Sequence, residues 1–122
     1  MRSDDALLLD MLIAARKAER FLATMSLAEF QANELAQSAV IRELQVIGEA
    51  ARLVSEATIS RSSGVDWRTI SGMRNRLVHE YFSIRLDVVW QTVHDDIPSL
   101  IVHLEHLVPA ENPSDSADQD LD

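Results

Sequence analysis

The chain has 122 residues, of which 47% are hydrophobic and 25% charged, which is the length and composition of one globular domain. It carries 20 acidic and 11 basic residues, and this net charge of −9 argues against a protein that holds nucleic acid through its overall charge. The absence of cysteine excludes a disulfide framework, a thiolate zinc site and a cysteine nucleophile. The longest uncharged runs, Phe21–Ala28 and Ile97–Leu104, are far shorter than the roughly 18 residues of a membrane span, so we expect a cytoplasmic protein with no membrane partner.

The acidic charge is concentrated at the carboxyl end of the chain. Five of the 20 acidic residues lie in 109–122, which contains no lysine or arginine, so residues 1–108 carry 15 acidic and 11 basic residues. The same stretch has two prolines and almost no apolar side chains, a composition typical of disorder. We therefore predict a helical domain at 1–108 and an acidic, disordered tail at 109–122, which either only solvates the protein or docks a partner.

The amino-terminal half has the periodicity of amphipathic helices. Apolar residues recur at helical spacing from Leu7 to Leu22, which predicts a helix over about 4–24. Ser26 and Glu29 have the spacing of a capping box, so a short second helix is expected to begin there. A long helix is predicted over about 33–58, with an apolar stripe on one side and on another a polar stripe formed by Arg42, Gln45, Glu49, Arg52 and Glu56.

The second half continues this helical pattern with two interruptions. Serines and a glycine break the periodicity over 60–65, and Asp66 can cap the helix that begins at Trp67. A last apolar run from Leu86 to Leu107 contains Pro98, which should kink or split it. Because no segment has convincing strand character, the predicted fold is an all-α, up-and-down bundle of four to five helices.

The helix that begins at Trp67 carries a charge within its apolar row. Trp67, Ile70 and Leu77 mark the face that should be buried, and Arg74 occupies the same row. A buried guanidinium needs a carboxylate, a phosphate or a second subunit as its partner, because an unpaired buried charge is very costly. Gly72 lies within the same helix at a cost of roughly 1 kcal/mol relative to alanine, which a close approach by another backbone would explain.

Polar and aromatic side chains of this helix fall on two different faces. At about 100° per residue, Asn75 lies about 100° and His79 about 140° from Arg74, whereas Tyr81 lies at about 340°. Asn75 and His79 can touch each other, but no single point in front of one helix faces all four groups. A symmetric dimer that places two copies of this helix across a cleft would bring them together.

These residues resemble a known family. The stretch Trp67–Phe82, followed by Leu86–Trp90 and Ile97–Leu100, is similar to the HepT-like family of the HEPN superfamily, a group of small helical proteins. The family motif is arginine, a polar residue, three variable residues, histidine, one residue and tyrosine, and Arg74–Tyr81 matches it without a gap. Ile41–Ala50 also resembles the family's second helical signature, so the resemblance extends over most of residues 4–108.

The resemblance implies a function that neither composition nor periodicity indicates. Members are metal-independent endoribonucleases without a cofactor, and they act as the toxins of type II toxin–antitoxin pairs. They are homodimers that bind RNA at a cleft between the subunits. A nucleotidyltransferase-type (MNT) antitoxin neutralises them by transferring AMP to the motif tyrosine, which is Tyr81 here. The same resemblance makes Arg74, Asn75 and His79 the catalytic residues.

The residue types suit RNA cleavage, because RNA carries its own nucleophile in the 2′-hydroxyl. His79 is a natural acid or base near neutral pH, and such catalysis contributes roughly 10²–10⁴-fold. Arg74 offers a bidentate fork to the phosphate, and Asn75 is placed to orient His79 or the RNA. Three further residues are candidates for supporting the cleft: Arg42, Glu49 and Arg76.

Structural roles for the same residues remain open. Arg74 can instead pair with Glu43 or Glu49 of the neighbouring helix, Asn75 can make a structural hydrogen bond, and Tyr81 can serve as a core or interface aromatic. For the whole chain, the alternatives to a nuclease are a non-catalytic helical subunit of a nucleotidyltransferase complex and a plain dimeric scaffold.

The remaining aromatic and histidine side chains are predicted to be structural. Trp67 and Trp90 are expected to pack in the core rather than to stack on bases. His94, His103 and His106 are expected to be solvent-exposed rather than metal ligands, because no third ligand lies at a suitable spacing.

Overall fold

The computed structural model describes residues 2–79 and 84–109, and it describes only the backbone of residues 74–76, 78 and 79. Within these residues the chain forms helices and no strand, which confirms the predicted all-α class. The helices are α1 (Asp4–Leu22), α2 (Leu27–Gln31), α3 (Glu34–Leu53), α4 (Glu56–Arg61), α5 (Trp67–His79), α6 (Leu86–Asp95) and α7 (Ile97–Leu107). Tyr81 and residues 110–122 lie outside the described residues, so the disordered tail stays a prediction.

Local capping determines where several helices begin. The side chain of Ser26 accepts a hydrogen bond from the Glu29 amide at 3.1 Å, and the Glu29 carboxylate accepts one from the Ser26 amide at 3.0 Å, which confirms the capping box. These hydrogen bonds lower the pKa of Glu29. Ser3 and Asn33 cap α1 and α3 in the same way, through side-chain oxygens that accept from amides three residues later.

The predicted helix over 33–58 is wrong beyond Leu53, because the chain is extended at Val54 and restarts as α4. The break is held by Asp4, at the first turn of α1, whose carboxylate accepts hydrogen bonds from the Ser55 amide at 3.1 Å, from the Ser55 hydroxyl and from the Thr58 hydroxyl at 2.6 Å. Ser55 in turn caps α4. The apolar periodicity of α3 continues past Val54 and gives no sign of the break, because Asp4 lies 51 positions before Ser55 in the sequence.

Pro98 splits the last apolar run, as predicted. Helix α6 ends at Asp95 and α7 begins at Ile97, which places Pro98 in the first turn of α7, where its missing amide is not needed. Together with the break at Val54, this split is why the described residues hold more helices than the four to five expected.

Helix α3 packs against both α1 and α5. Helix α1 also packs against α6 and α7, and α2 packs against α3 and α6. The largest fully buried side chains come from five of these helices and include Leu8, Met11, Leu22, Phe30, Leu44, Ile47 and Leu104. None of the helices in the described ranges is long and apolar enough to cross a membrane.

Candidate active site

Two hydrogen-bonded groups define the amino end of α5. Asp66 accepts hydrogen bonds from the amide of Thr69 at 3.2 Å and from its hydroxyl at 2.8 Å, which confirms the predicted cap and lowers the pKa of Asp66. The indole N–H of Trp67 donates to the carbonyl oxygen of Ser62 at 3.0 Å, in buried surroundings. This contact ties the first residue of α5 to the end of α4, and both of its residues are buried.

The register of α5 is the one that the sequence predicts. Trp67 and Leu77 are buried and Ile70 is half-buried, so the arc from about 300° to about 20° relative to position 74 faces the core. The backbone of Arg74 lies in the middle of this arc, on the helix that packs against α3. Pairing of Arg74 with Glu43 or Glu49 stays a prediction.

Asn75 and His79 are placed on a different side of α5. They are one turn apart on the helical backbone, as the motif requires, at about 100–140° from Arg74. Two neighbours on this arc, Arg68 and Gly72, are exposed. The part of this arc whose side chains are described therefore faces away from the core of this chain.

The expected close approach at Gly72 is not found within the described part of the chain. A Cβ added there would meet no atom of another element within 4 Å. The reason is its position at about 160° from Arg74, on the exposed arc rather than the core-facing one.

The large groove of the described structure is not the predicted cleft. This groove, of about 610 Å³, lies between α5 and the α6–α7 pair. Its α5 wall includes Thr69, Ile70, Met73 and Leu77, which lie at about 220–320° from position 74. That arc is opposite the one on which spacing puts His79. Choosing the active site by groove volume alone would therefore not select the motif residues.

The three residues predicted to support the cleft are in different situations. Arg42 is exposed and lines a shallower groove of about 460 Å³ on α3. The half-buried Glu49 carboxylate accepts a hydrogen bond from Arg52 at 2.7 Å, which raises the pKa of Arg52. Arg76 is described by its backbone only, at about 200° from Arg74. Arg42 and Glu49 are seven residues apart on α3, so both lie on its predicted polar stripe.

Both tryptophans pack in the bundle, as predicted. Trp67 is buried, and the half-buried Trp90 donates its indole N–H to the carbonyl oxygen of Met25 at 3.0 Å. Burial of Trp67, and the packing of Trp90 against the core and the ring of His94, make both rings structural.

Two of the three histidines are not exposed as expected. The ring of His94 packs on that of Trp90 at 4.1 Å between centroids, and His103 lies over the backbone of Gly64, where a Cβ would be 2.7 Å from its Cε1. Only His106 is exposed. No group of three or more histidine, aspartate or glutamate side chains in the described ranges could hold a metal ion.

Comparison with known proteins identifies the family. A family model described as "Ribonuclease HepT-like" matches residues 11–107, which includes the whole of α5 and its motif. The chain belongs to the HepT-like ribonuclease family. The match extends to α7, so the motif residues lie within a domain that is HepT-like throughout.

Relatives named as ribonucleases align with most of this HepT-like chain. It is 34% identical over 104 residues to a candidate RNase, MJ1380, of Methanocaldococcus jannaschii, and the alignment covers 85% of this chain and 95% of that protein. It is 35% identical over 106 residues to a protein of Thermococcus cleftensis assigned as ribonuclease HepT, covering 87% and 96% of the two chains. No solved structure matches the chain.

Proposed function

We propose that this HepT-like chain is a metal-independent endoribonuclease that acts as the toxin of a type II toxin–antitoxin pair. It works as a homodimer and is neutralised when a nucleotidyltransferase-type antitoxin transfers AMP to Tyr81. The observation that carries the proposal is the HepT-like family match over residues 11–107, which contain the whole motif. The exposure of Arg68 and Gly72, on the arc of α5 that helical spacing assigns to Asn75 and His79, supports access by RNA or by a second copy of the helix.

In the proposed reaction, His79 of one subunit removes the proton from the 2′-hydroxyl of RNA. The 2′-oxygen attacks the adjacent phosphorus, and the bond from phosphorus to the 5′-oxygen breaks. The partner subunit's His79 gives its proton to that leaving oxygen. The products are a 2′,3′-cyclic phosphate and a 5′-hydroxyl end. Arg74 stabilises the charge on the phosphoryl oxygens, and Asn75 orients the imidazole.

The local charge near the motif supports RNA binding despite the net charge of −9. Residues 68–85 contain four arginines and one acidic residue, Glu80. Among these arginines, Arg68 is exposed, whereas Arg85 pairs with Asp87 at 2.7 Å. A two-fold axis near α5 would double this basic segment, so electrostatic attraction is focused at the cleft rather than spread over the protein.

The proposal is tested by cleavage of a mixed RNA pool in excess chelator, with unmodified protein confirmed by intact mass. We expect wild type to cut and His79→Ala and Arg74→Ala to lose cleavage. His106→Ala, which removes an exposed histidine on α7, is the matched control and should cut like wild type. Equal cleavage by all four proteins would show a contaminating nuclease. Absence of cleavage by unmodified wild type would refute the proposal that the protein is a ribonuclease.

Incubation with the nucleotidyltransferase and ATP tests the regulation. The mass of one AMP should be added to wild type and not to Tyr81→Phe, with loss of cleavage only in wild type. Modification of a protein that never cuts RNA would instead support the non-catalytic binding subunit. Dimerisation is measured separately, by light scattering of the unmodified protein.

A further inference from the structure

A shallow groove on α3 has the chemistry of a nucleotide site. This α3 groove, of about 460 Å³, is lined by five residues of α3 between Gln37 and Gln45, together with Ile84 and Leu86. Its volume falls within the roughly 300–1,000 Å³ of small-molecule sites. Ile84, which is part of its lining, is the first described residue after α5.

Arg42 supplies an unneutralised positive charge to the α3 groove. Arg2, Arg16, Arg52 and Arg85 each pair with a carboxylate at 2.7–2.9 Å. Arg42 makes no ion pair or hydrogen bond with any residue that the structure describes, and among the described cations without an ion pair, which include Lys17, Arg20, Arg61 and Arg68, it is the one that lines this groove. None of the side chains that line the groove is acidic. An exposed guanidinium in such surroundings is suited to a phosphate, which it can bind through two parallel N–H groups.

Gln37 supplies a hydrogen-bond acceptor of defined orientation. Its Nε2 donates to the carbonyl oxygens of Phe30 at 2.9 Å and Gln31 at 3.1 Å, at the end of α2. Both N–H groups are therefore used, which leaves Oε1 to accept a hydrogen bond from a ligand. Ile41 and Ile84 add apolar surface to the groove that contains this acceptor and Arg42.

We propose that the α3 groove binds one nucleotide of the RNA substrate beside the cleavage cleft. Arg42 binds its phosphate, Ile41 and Ile84 contact the face of its base, and Oε1 of Gln37 accepts from the base edge or the 2′-hydroxyl. This role rests on the proposed ribonuclease function and extends it, because it assigns a substrate-binding residue that lies on α3 and outside the motif.

The test measures RNA binding rather than cleavage, with His79→Ala as the background so that the RNA stays intact. Binding of a fluorescent single-stranded RNA is followed by polarisation at several salt concentrations. We expect Arg42→Gln to weaken binding about three- to tenfold and to reduce the slope of log K against log salt by about 0.7, the value for one phosphate contact on a single strand. Arg42→Lys should retain the slope but lose part of the affinity, because lysine lacks the bidentate fork.

Lys17→Gln is the matched control, because it removes one exposed positive charge from α1 and changes the net charge equally. It should leave both affinity and slope unchanged. Equal effects of Arg42→Gln and Lys17→Gln would overturn the subsite and show attraction by overall charge alone. A change in dimerisation with unchanged RNA affinity would also overturn it, because the groove would then be an interface between copies.

The outcomes for the subsite and for the enzyme are separable. If the protein with His79 intact fails to cut RNA but binding depends on Arg42, the nuclease proposal falls and the binding site stands. If it cuts RNA, and Arg42→Gln binds RNA with the same affinity as Lys17→Gln, the ribonuclease proposal stands and the proposed nucleotide site in the α3 groove falls.

Discussion

The indole N–H of Trp67 is predicted to determine how firmly the motif helix is anchored. Trp67→Phe keeps an aromatic ring but removes the donor that binds the Ser62 carbonyl at 3.0 Å. Both residues are only 7% exposed, so water cannot readily replace the lost bond. The Ser62 carbonyl still accepts a hydrogen bond from the Val65 amide at 3.0 Å, so the substitution removes one of its two hydrogen bonds and leaves no unsatisfied carbonyl. One such bond contributes about 0.5–1.5 kcal/mol, and the smaller ring adds roughly 1 kcal/mol for the space it leaves. We therefore expect a loss of about 1.5–2.5 kcal/mol in the free energy of unfolding.

Urea unfolding at a fixed protein concentration measures this loss. With a denaturant slope of about 2 kcal/mol per molar, the midpoint of Trp67→Phe should fall by about 0.8–1.3 M. Trp90→Phe is the matched control, because its N–H also donates to a carbonyl at 3.0 Å but in partly buried surroundings, where water can take over. The loss in free energy of unfolding for Trp90→Phe should be less than half of the loss for Trp67→Phe. Equal losses for the two variants, or a loss below about 0.5 kcal/mol for Trp67→Phe, would refute the argument from burial.

Two further variants test the ends and the exposed face of the helices. Hydrogen bonds from Ser55 and Thr58 lower the pKa of Asp4, so its stabilising contribution is present above the ordinary pKa and is lost as the pH falls through the lowered value. Asp4→Asn should therefore lower the urea midpoint at pH 7 and reduce its fall on acidification below about pH 4, and an unchanged acid dependence would contradict this. Gly72→Ala should raise stability by about 0.5–1 kcal/mol, measured by thermal unfolding, because no described atom of another element lies within 4 Å of a Cβ there. A lower melting temperature together with a weaker dimer would instead show that a second copy approaches at this glycine.

Much of the fold follows from interactions within a few residues of each other. The capping box of Ser26 and Glu29, the cap at Asp66 and the split at Pro98 each depend on side chains that act on nearby backbone, and each was predicted. The break at Val54 was missed because its cause, Asp4, is distant in sequence and leaves no mark on the periodicity of α3.

In the candidate site, too, some features follow from local sequence and others depend on how the helices pack. The spacing of Arg74, Asn75 and His79 predicts their faces on one helix, since 3.6 residues per turn applies to any α-helix. Gly72 lies at about 160° from Arg74, so its place on the exposed arc also follows from spacing. Which neighbours those faces meet depends on how the helices pack, so the groove around Arg42 could not be derived from spacing. The partial burial of His103 has the same origin, because its partner Gly64 lies on a distant segment, whereas the contact of His94 with Trp90 joins two residues one turn apart on α6 and follows from spacing.

The sequence by itself determined the helical class, most helix ends and the register of the motif, because periodicity and capping act over one or two turns. The tertiary structure alone decided that α3 packs against both α1 and α5, that the large groove opens away from His79, and that Arg42 has no carboxylate partner among the described residues. These features depend on contacts between segments far apart in the chain, and the pattern within any one helix does not specify its neighbour.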